Sequence, residues 1–199
     1  MPAPYHAFVT PPVGNAPLVF AFHGTGGNET QFAPLVQDIL PGAGLVAPRG
    51  DVSEGGANRF FRRTGEGVFD MADLAHRSAA MASFVAETRA AHPDREAYAV
   101  GYSNGANILA AMTFEHAHLF DRVALLHPLI PWKPAGNPGL KGQLVLITGG
   151  RKDPICPLAL TIALADYYKM EGAKVTAILH EGGHEIRQDE VVALTGFLR

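Results

Sequence analysis

Six short runs in this 199-residue chain are apolar from end to end, and longer amphipathic stretches separate them. They are Leu18–Phe22, Leu45–Ala47, Ala97–Gly101, Val123–Leu126, Leu144–Ile147 and Val175–Leu179. A strand with one wetted face alternates apolar and polar residues, whereas a strand covered on both faces has no need to. Uniform runs of this length therefore predict a mostly parallel central sheet with helices on both faces. The clearest helix spans about Asp70 to His92, with Asp70 as N-cap and Pro93 closing it. Met71, Leu74, Met81, Phe84 and Val85 form its inward stripe. Other helices are expected to start near Glu29, Asn104 and Pro157, and a last one to run from about Gln188 to Leu198. With no repeat and no low-complexity linker, this alternation reads as an α/β fold in one domain over residues 1–199. In such sheets the functional groups gather beyond the carboxyl ends of the strands.

Composition narrows the functional classes. Apolar residues at 47% and charged residues at 18% exclude a disordered chain. A net charge of -3 and no basic run denser than Arg59, Arg62 and Arg63 argue against nucleic acid as a partner. The single cysteine, Cys156, allows no intrachain disulfide. The first residues lack the charged and apolar regions of a signal peptide, and no apolar run approaches the ~20 residues of a membrane helix. The expectation is a soluble cytoplasmic protein with no membrane insertion.

The chemistry lies in the turns just beyond the strands. After the third run comes Gly101-Tyr102-Ser103-Asn104-Gly105, a G-x-S-x-G set between an apolar run and a helical one. A serine on a sharp strand-to-helix turn stands clear of the sheet, and the two glycines let strand and helix approach closely. Without that context Ser103 would read as a helix cap; with it, Ser103 reads as a nucleophile. A serine hydroxyl needs a base to take its proton and a third group to orient that base. Asp153 comes after the fifth run and His184 after the sixth, which gives the chain order Ser, acid, His. Asp153 could instead be a turn residue before Pro154, and His180, which still belongs to the strand of the sixth run, competes with His184 as base. The first run ends in His23-Gly24-Thr25-Gly26-Gly27, a loop suited to supply one oxyanion donor from Thr25, with Asn104 supplying the other. The spacing of its glycines fails the dinucleotide fingerprint, and no Gly-Lys-Ser/Thr comes after it.

Together these stretches resemble the phospholipase/carboxylesterase family of small α/β-hydrolases, closest to the bacterial carboxylesterases linked to hydroquinone stress. The matching segments include His23–Glu29, Pro48–Gly50, Arg59–Arg63, Gly65–Asp70, Gly101–Asn107, His127–Pro128, Asp153–Pro157 and Gly183–His184, spread across nearly the whole chain. The resemblance implies Ser103, Asp153 and His184 as catalytic triad and Thr25 and Asn104 as oxyanion donors. It implies hydrolysis of short-chain or small aromatic carboxylic esters, no metal, no organic cofactor, and a homodimer. A thioesterase, lactonase or other acyl hydrolase on the same scaffold is the alternative. The stretch from Ala124 to Leu146 is too short for a large lid.

Phe60, Phe61, Tyr102, Trp132 and Ile155 are pocket candidates, although aromatic residues on loops can equally serve packing. Arg59 and Arg62 could attract an anionic substrate or pair with Glu66 or Asp70. Cys156 could sense electrophiles or sit buried and inert, the latter being favoured.

Overall fold

The computed structural model describes residues 5–199. In chain order its strands are β1 (Ala7–Thr10), β2 (Leu18–Phe22), β3 (Gly44–Pro48), β4 (Val52–Glu54), β5 (Ala57–Arg59), β6 (Arg63–Gly65), β7 (Val68–Phe69), β8 (Ala97–Tyr102), β9 (Arg122–Leu126), β10 (Leu144–Gly150) and β11 (Lys174–His180). The α-helices are α1 (Ala33–Ile39), α2 (Met71–Ala90), α3 (Asn104–His116), α4 (Leu158–Met170) and α5 (Gln188–Leu198). Seven strands form one sheet in the order β1-β3-β2-β8-β9-β10-β11. All neighbours run parallel except β1, which pairs antiparallel with β3.

The period of two along each strand sends alternate side chains into two separate cores. From β2, Leu18, Phe20 and Phe22 enter one core with residues of α2, α3 and α4, while Val19 and Ala21 enter the other with residues of α1 and α5. Both faces of the sheet are thus covered, which is why the central strands need no polar face. No helix among the described residues is long and apolar enough to cross a membrane.

All six apolar runs are strands, and the differences from expectation have local causes. The helix placed near Glu29 begins at Ala33, because the Asn28 side chain accepts hydrogen bonds from the backbone and hydroxyl of Thr30 (2.9 and 2.7 Å) and holds a turn there. Asp70 caps α2 through the backbone N–H of Asp73 at 3.0 Å, but the helix ends at Ala90 rather than His92. Met71 leaves the inward stripe: at the first position of α2 it is exposed, while Leu74, Met81 and Val85 are buried. Although most of Val175–Leu179 is apolar, β11 is an edge strand, and Lys174, Thr176 and Ala177 are exposed. Residues 51–69 form two small hairpins, β4–β5 and β6–β7, whose two- and three-residue strands leave too short a pattern to read.

Candidate active site

Ser103 sits between β8 and α3 with φ 52° and ψ -116°, a left-handed conformation that costs a non-glycine residue about 1–3 kcal/mol. Its backbone N–H donates to Leu126 O at 2.9 Å and its carbonyl accepts from Asn107 N at 2.9 Å, so the strained residue is fixed from both sides. The flanking glycines are required by close approach. A methyl group on Gly101 would stand 2.6 Å from Gly105 O, and one on Gly105 would run into the carbonyl oxygens of Phe22 and His23. The elbow therefore wedges α3 against the end of β2, and the Ser103 hydroxyl is left projecting.

His184 and Asp153 meet that hydroxyl from the two strands beyond β9. His184 Nε2 lies 2.9 Å from Ser103 Oγ, and His184 Nδ1 lies 2.7 Å from Asp153 Oδ2. The other Asp153 oxygen, Oδ1, accepts the backbone N–H groups of Ile155 (2.8 Å) and Cys156 (2.9 Å). Burial alone would raise the Asp153 pKa. The donors on it, led by Cys156 N–H and then His127, His184 and Ile155 N–H, outweigh burial and hold the carboxyl below its ordinary value. An ionised Asp153 fixes the proton of His184 on Nδ1 and leaves Nε2 free to accept from serine. Tyr102 secures the loop bearing His184: its hydroxyl donates to His184 O at 2.7 Å, and its ring lies against the imidazole with centroids 5.3 Å apart. Burial pushes the Tyr102 pKa up to about 12, so the hydroxyl keeps its proton.

The loop after β2 is held just as firmly. His23 Nε2 accepts the backbone N–H of Gly50 at 2.9 Å, which places the ring proton on Nδ1, facing Gly24 O at 2.7 Å. Burial lowers the His23 pKa and keeps the ring neutral, as this tautomer requires. Thr25 Oγ1 accepts from Arg59 Nη1 at 2.9 Å, and Asn104 Oδ1 accepts from Phe60 N at 2.7 Å. Among the described residues the backbone N–H groups of Thr25 and Asn104 find no backbone acceptor, and both residues border the same cavity as Ser103 and His184.

No family model matches the chain, and relatives define its family instead. "Putative hydrolase MhqD" of Bacillus subtilis (strain 168) is 37% identical over 175 residues, covering 87% of this chain and 88% of its own. The chain belongs to the phospholipase/carboxylesterase family of α/β-hydrolases. Among solved structures, the protein Atu2452 of unknown function from Agrobacterium tumefaciens str. C58 superposes with a TM-score of 0.90 at 47% identity, over 98% of this chain and 95% of that one. The Bacillus cereus carboxylesterase superposes with a TM-score of 0.88 at 32% identity, over 96% and 92%. The chain is a hydrolase.

In this family member the cavity over Ser103 measures about 300 Å³. Tyr102, Ile155, Phe69 and Leu129 give it apolar walls, and Arg59, Arg63 and Glu66 give it a charged side. Three of the aromatic residues expected in the pocket lie elsewhere, and they correct the expectation. Phe60 packs edge-to-face on Phe22 and against the His23 ring, and Phe61 packs on Phe69; both are fully buried, because two consecutive aromatic residues here close the core beneath the hairpins. Trp132 packs on Phe69 and Phe114 and borders a different groove, beside α4. Arg62 is exposed and pairs with Asp70 (3.5 Å) and Asp73 (3.2 Å), away from the cavity, while Arg63, which the sequence offered only as part of the basic run, borders it. Cys156 is buried and donates to His127 O at 3.2 Å; burial, then the Asp153 charge, pushes its thiol pKa up, which makes it inert.

Two groups of side chains stand close enough to ligate a metal: His127, His180 and Glu190, and His127, Asp153 and His184. The chemistry of the first does not fit one. His180 Nδ1 accepts the backbone N–H of Gly182 at 2.9 Å, so its proton is on Nε2, the atom that would have to bind the ion. In the second, both imidazoles turn Nδ1 to the same Asp153 oxygen as hydrogen-bond donors.

Proposed function

We propose that this hydrolase is a serine carboxylesterase acting on short-chain or small aromatic esters. The observation that carries the reading is the unbroken line from Ser103 Oγ to His184 Nε2 (2.9 Å) and from His184 Nδ1 to Asp153 Oδ2 (2.7 Å) on the floor of an open cavity. Ser103 Oγ attacks the ester carbonyl as its proton passes to His184 Nε2. The carbonyl oxygen, now negative, is held by the N–H groups of Thr25 and Asn104. The C–O bond to the alcohol breaks, and His184 returns the proton to the departing oxygen, leaving an acyl group on Ser103. Water then attacks the acyl carbonyl, gives its proton to His184, and the carboxylic acid leaves as Ser103 regains that proton. A cavity of about 300 Å³ favours small acyl and alcohol groups.

A fluorophosphonate probe tests this directly. The expected result is one adduct, mapped to Ser103, and a loss of p-nitrophenyl acetate turnover of about 10⁴-fold or more in Ser103→Ala. A folded Ser103→Ala variant that still turns over would overturn the assignment of the nucleophile. A panel with a matched thioester and a lactone separates the ester reading from other acyl transfers, and a higher kcat/KM for the thioester would displace it.

A further inference from the structure

Behind the catalytic carboxylate lies a second, fully buried charge cluster that the esterase reading does not use. His127, at the end of β9, is completely buried and, like Ser103, has a left-handed backbone (φ 51°). Its Nδ1 lies 2.9 Å from Asp153 Oδ2, the same oxygen that His184 contacts. Its Nε2 lies 3.1 Å from Oε1 of Glu190, a carboxylate of α5 with no exposure to solvent. Glu190 also accepts from the Thr148 hydroxyl (2.5 Å) and from Arg187 N (2.7 Å), and it faces His180 Nε2 at 3.0 Å.

Counting protons gives the ring its charge. Both His127 nitrogens face carboxylate oxygens, which when ionised can only accept. Asp153 already takes two backbone N–H groups and His184; Glu190 takes a hydroxyl and a backbone N–H, and the protonated Nε2 of His180 stands 3.0 Å from it. A proton on either carboxylate would point at another donor. It belongs on His127, which then carries two ring protons and a positive charge. Burial opposes that charge, but the adjoining carboxylates of Glu190 and Asp153 outweigh it and raise the His127 pKa. The other titratable groups around the ring are Tyr102 from β8, Cys156 beyond β10, His180 at the end of β11 with its ring centroid 5.4 Å away, and His184 itself.

We propose that His127 is a resident imidazolium that shares Asp153 Oδ2 with His184, held in place by Glu190, and that it is a positioning residue which keeps His184 unprotonated at lower pH than an unaccompanied Asp–His pair would. The inference rests on the serine-esterase reading. His127 fixes the carboxylate from the side opposite His184 and offsets part of its charge. With the His127 and His184 rings 5.2 Å apart, a proton arriving on His184 meets a like charge already present. The acid limb of the pH–rate profile is thereby displaced downward.

Two measurements test the proposal, and the first needs no substrate. In the intact protein with ¹⁵N-labelled histidine, one of the nine rings is expected to show imidazolium nitrogen resonances at pH 8, and that signal should vanish in His127→Asn. Nine neutral rings at pH 8 would overturn the proposal and leave the esterase reading intact, whereas absence of fluorophosphonate labelling at Ser103 would overturn that reading and leave the ring's charge measurable. The second measurement is the pH profile of kcat/KM for p-nitrophenyl acetate. Asparagine tolerates the left-handed backbone but carries no charge. His127→Asn is expected to move the acid limb upward by roughly one pH unit, so that activity on the acid side falls about tenfold further than on the plateau. Glu190→Gln removes the counter-charge of His127 and should weaken or abolish the imidazolium signal at pH 8, which keeps the test alive should His127→Asn not fold. A uniform loss at every pH in the folded variants would mark the cluster as packing alone and refute the positioning role.

Discussion

Residues 97–105 and residues 51–69 both reach the cavity over Ser103, and they are held in different ways. The first segment is β8 and the elbow. It pairs with β2 on one side and β9 on the other, residues 97–101 are buried, and the helix behind it is packed backbone to backbone. The second is a pair of two-stranded hairpins outside the main sheet, tied to the loop after β2 by the bonds of Asn58 to Gly26 and Gly27 and of Arg59 to Thr25. Beyond those bonds its outer edge is held by ion pairs at the surface, such as Arg63 to Glu54 at 2.8 Å, and its turns at Gly55, Gly56 and Gly67 stand in open space. The candidate nucleophile thus stands on a part that cannot shift without breaking the sheet, while the turns of the hairpins, which carry part of the cavity rim, could be exchanged without doing so.

One alanine in each region breaks or sharpens that contrast, and the largest effect is expected at the elbow. Gly105→Ala places a methyl group into the backbone carbonyls of Phe22 and His23, which cannot swing aside as a side chain would. The expected cost is about 3 kcal/mol or more, with activity lost, read as the midpoint of urea unfolding. Gly55→Ala in the β4–β5 turn meets nothing within 4 Å and has only its positive φ (57°) to overcome, for which about 1 kcal/mol is expected. Equal midpoints for the two variants would show that the elbow is not the tighter element.

Tyr102→Phe tests the same contrast at the level of one hydrogen bond. The ring and its packing against His184 stay, and only the bond to His184 O is lost. The loop after β11 then hangs on fewer contacts, and imidazole placement matters more to the reaction than to folding. Stability should fall by about 1 kcal/mol and kcat by roughly five- to tenfold, with KM changed less. A drop in stability with kcat unchanged would mean that Tyr102 supports the fold but not His184.

The same division governs how much could be read from the sequence. Strands buried on both faces announce themselves as uniform apolar runs, so six of the seven sheet strands were legible, and with them the strand ends where Ser103, Asp153 and His184 lie. Strand β1 was not, because it is four residues long and half-exposed at the sheet edge. The hairpins were not, since two or three residues carry no period, and the aromatic pair Phe60 and Phe61 read as a pocket wall when it seals the core. His127 and Glu190 were hidden for a different reason. They lie 63 positions apart, and only the folded sheet brings them to the back of Asp153. The signal within reach was a histidine at a strand end, just before Pro128, the same kind of position that marked the other site residues.

The smallest expected effect belongs to the rim and concerns discrimination between substrates. Arg59 is buried and committed: its guanidinium donates to Phe61 O and Thr25 Oγ1 and lies 3.3 Å from Glu54. Arg63 shares that glutamate but is partly exposed, and its place at the cavity mouth lets it exchange Glu54 for a negative group on a ligand. The exchange trades one solvated ion pair for another, so its worth is modest and weakens with salt. Arg63→Ala should therefore lower kcat/KM for a dicarboxylic half-ester by about three- to fivefold at low ionic strength, and affect the neutral ester of the same length much less. Raising the salt should bring the wild-type preference toward that of the variant. If the half-ester and the neutral ester lose activity in equal proportion, Arg63 is holding the hairpins in place, and the rim would have to be regarded as part of the rigid floor.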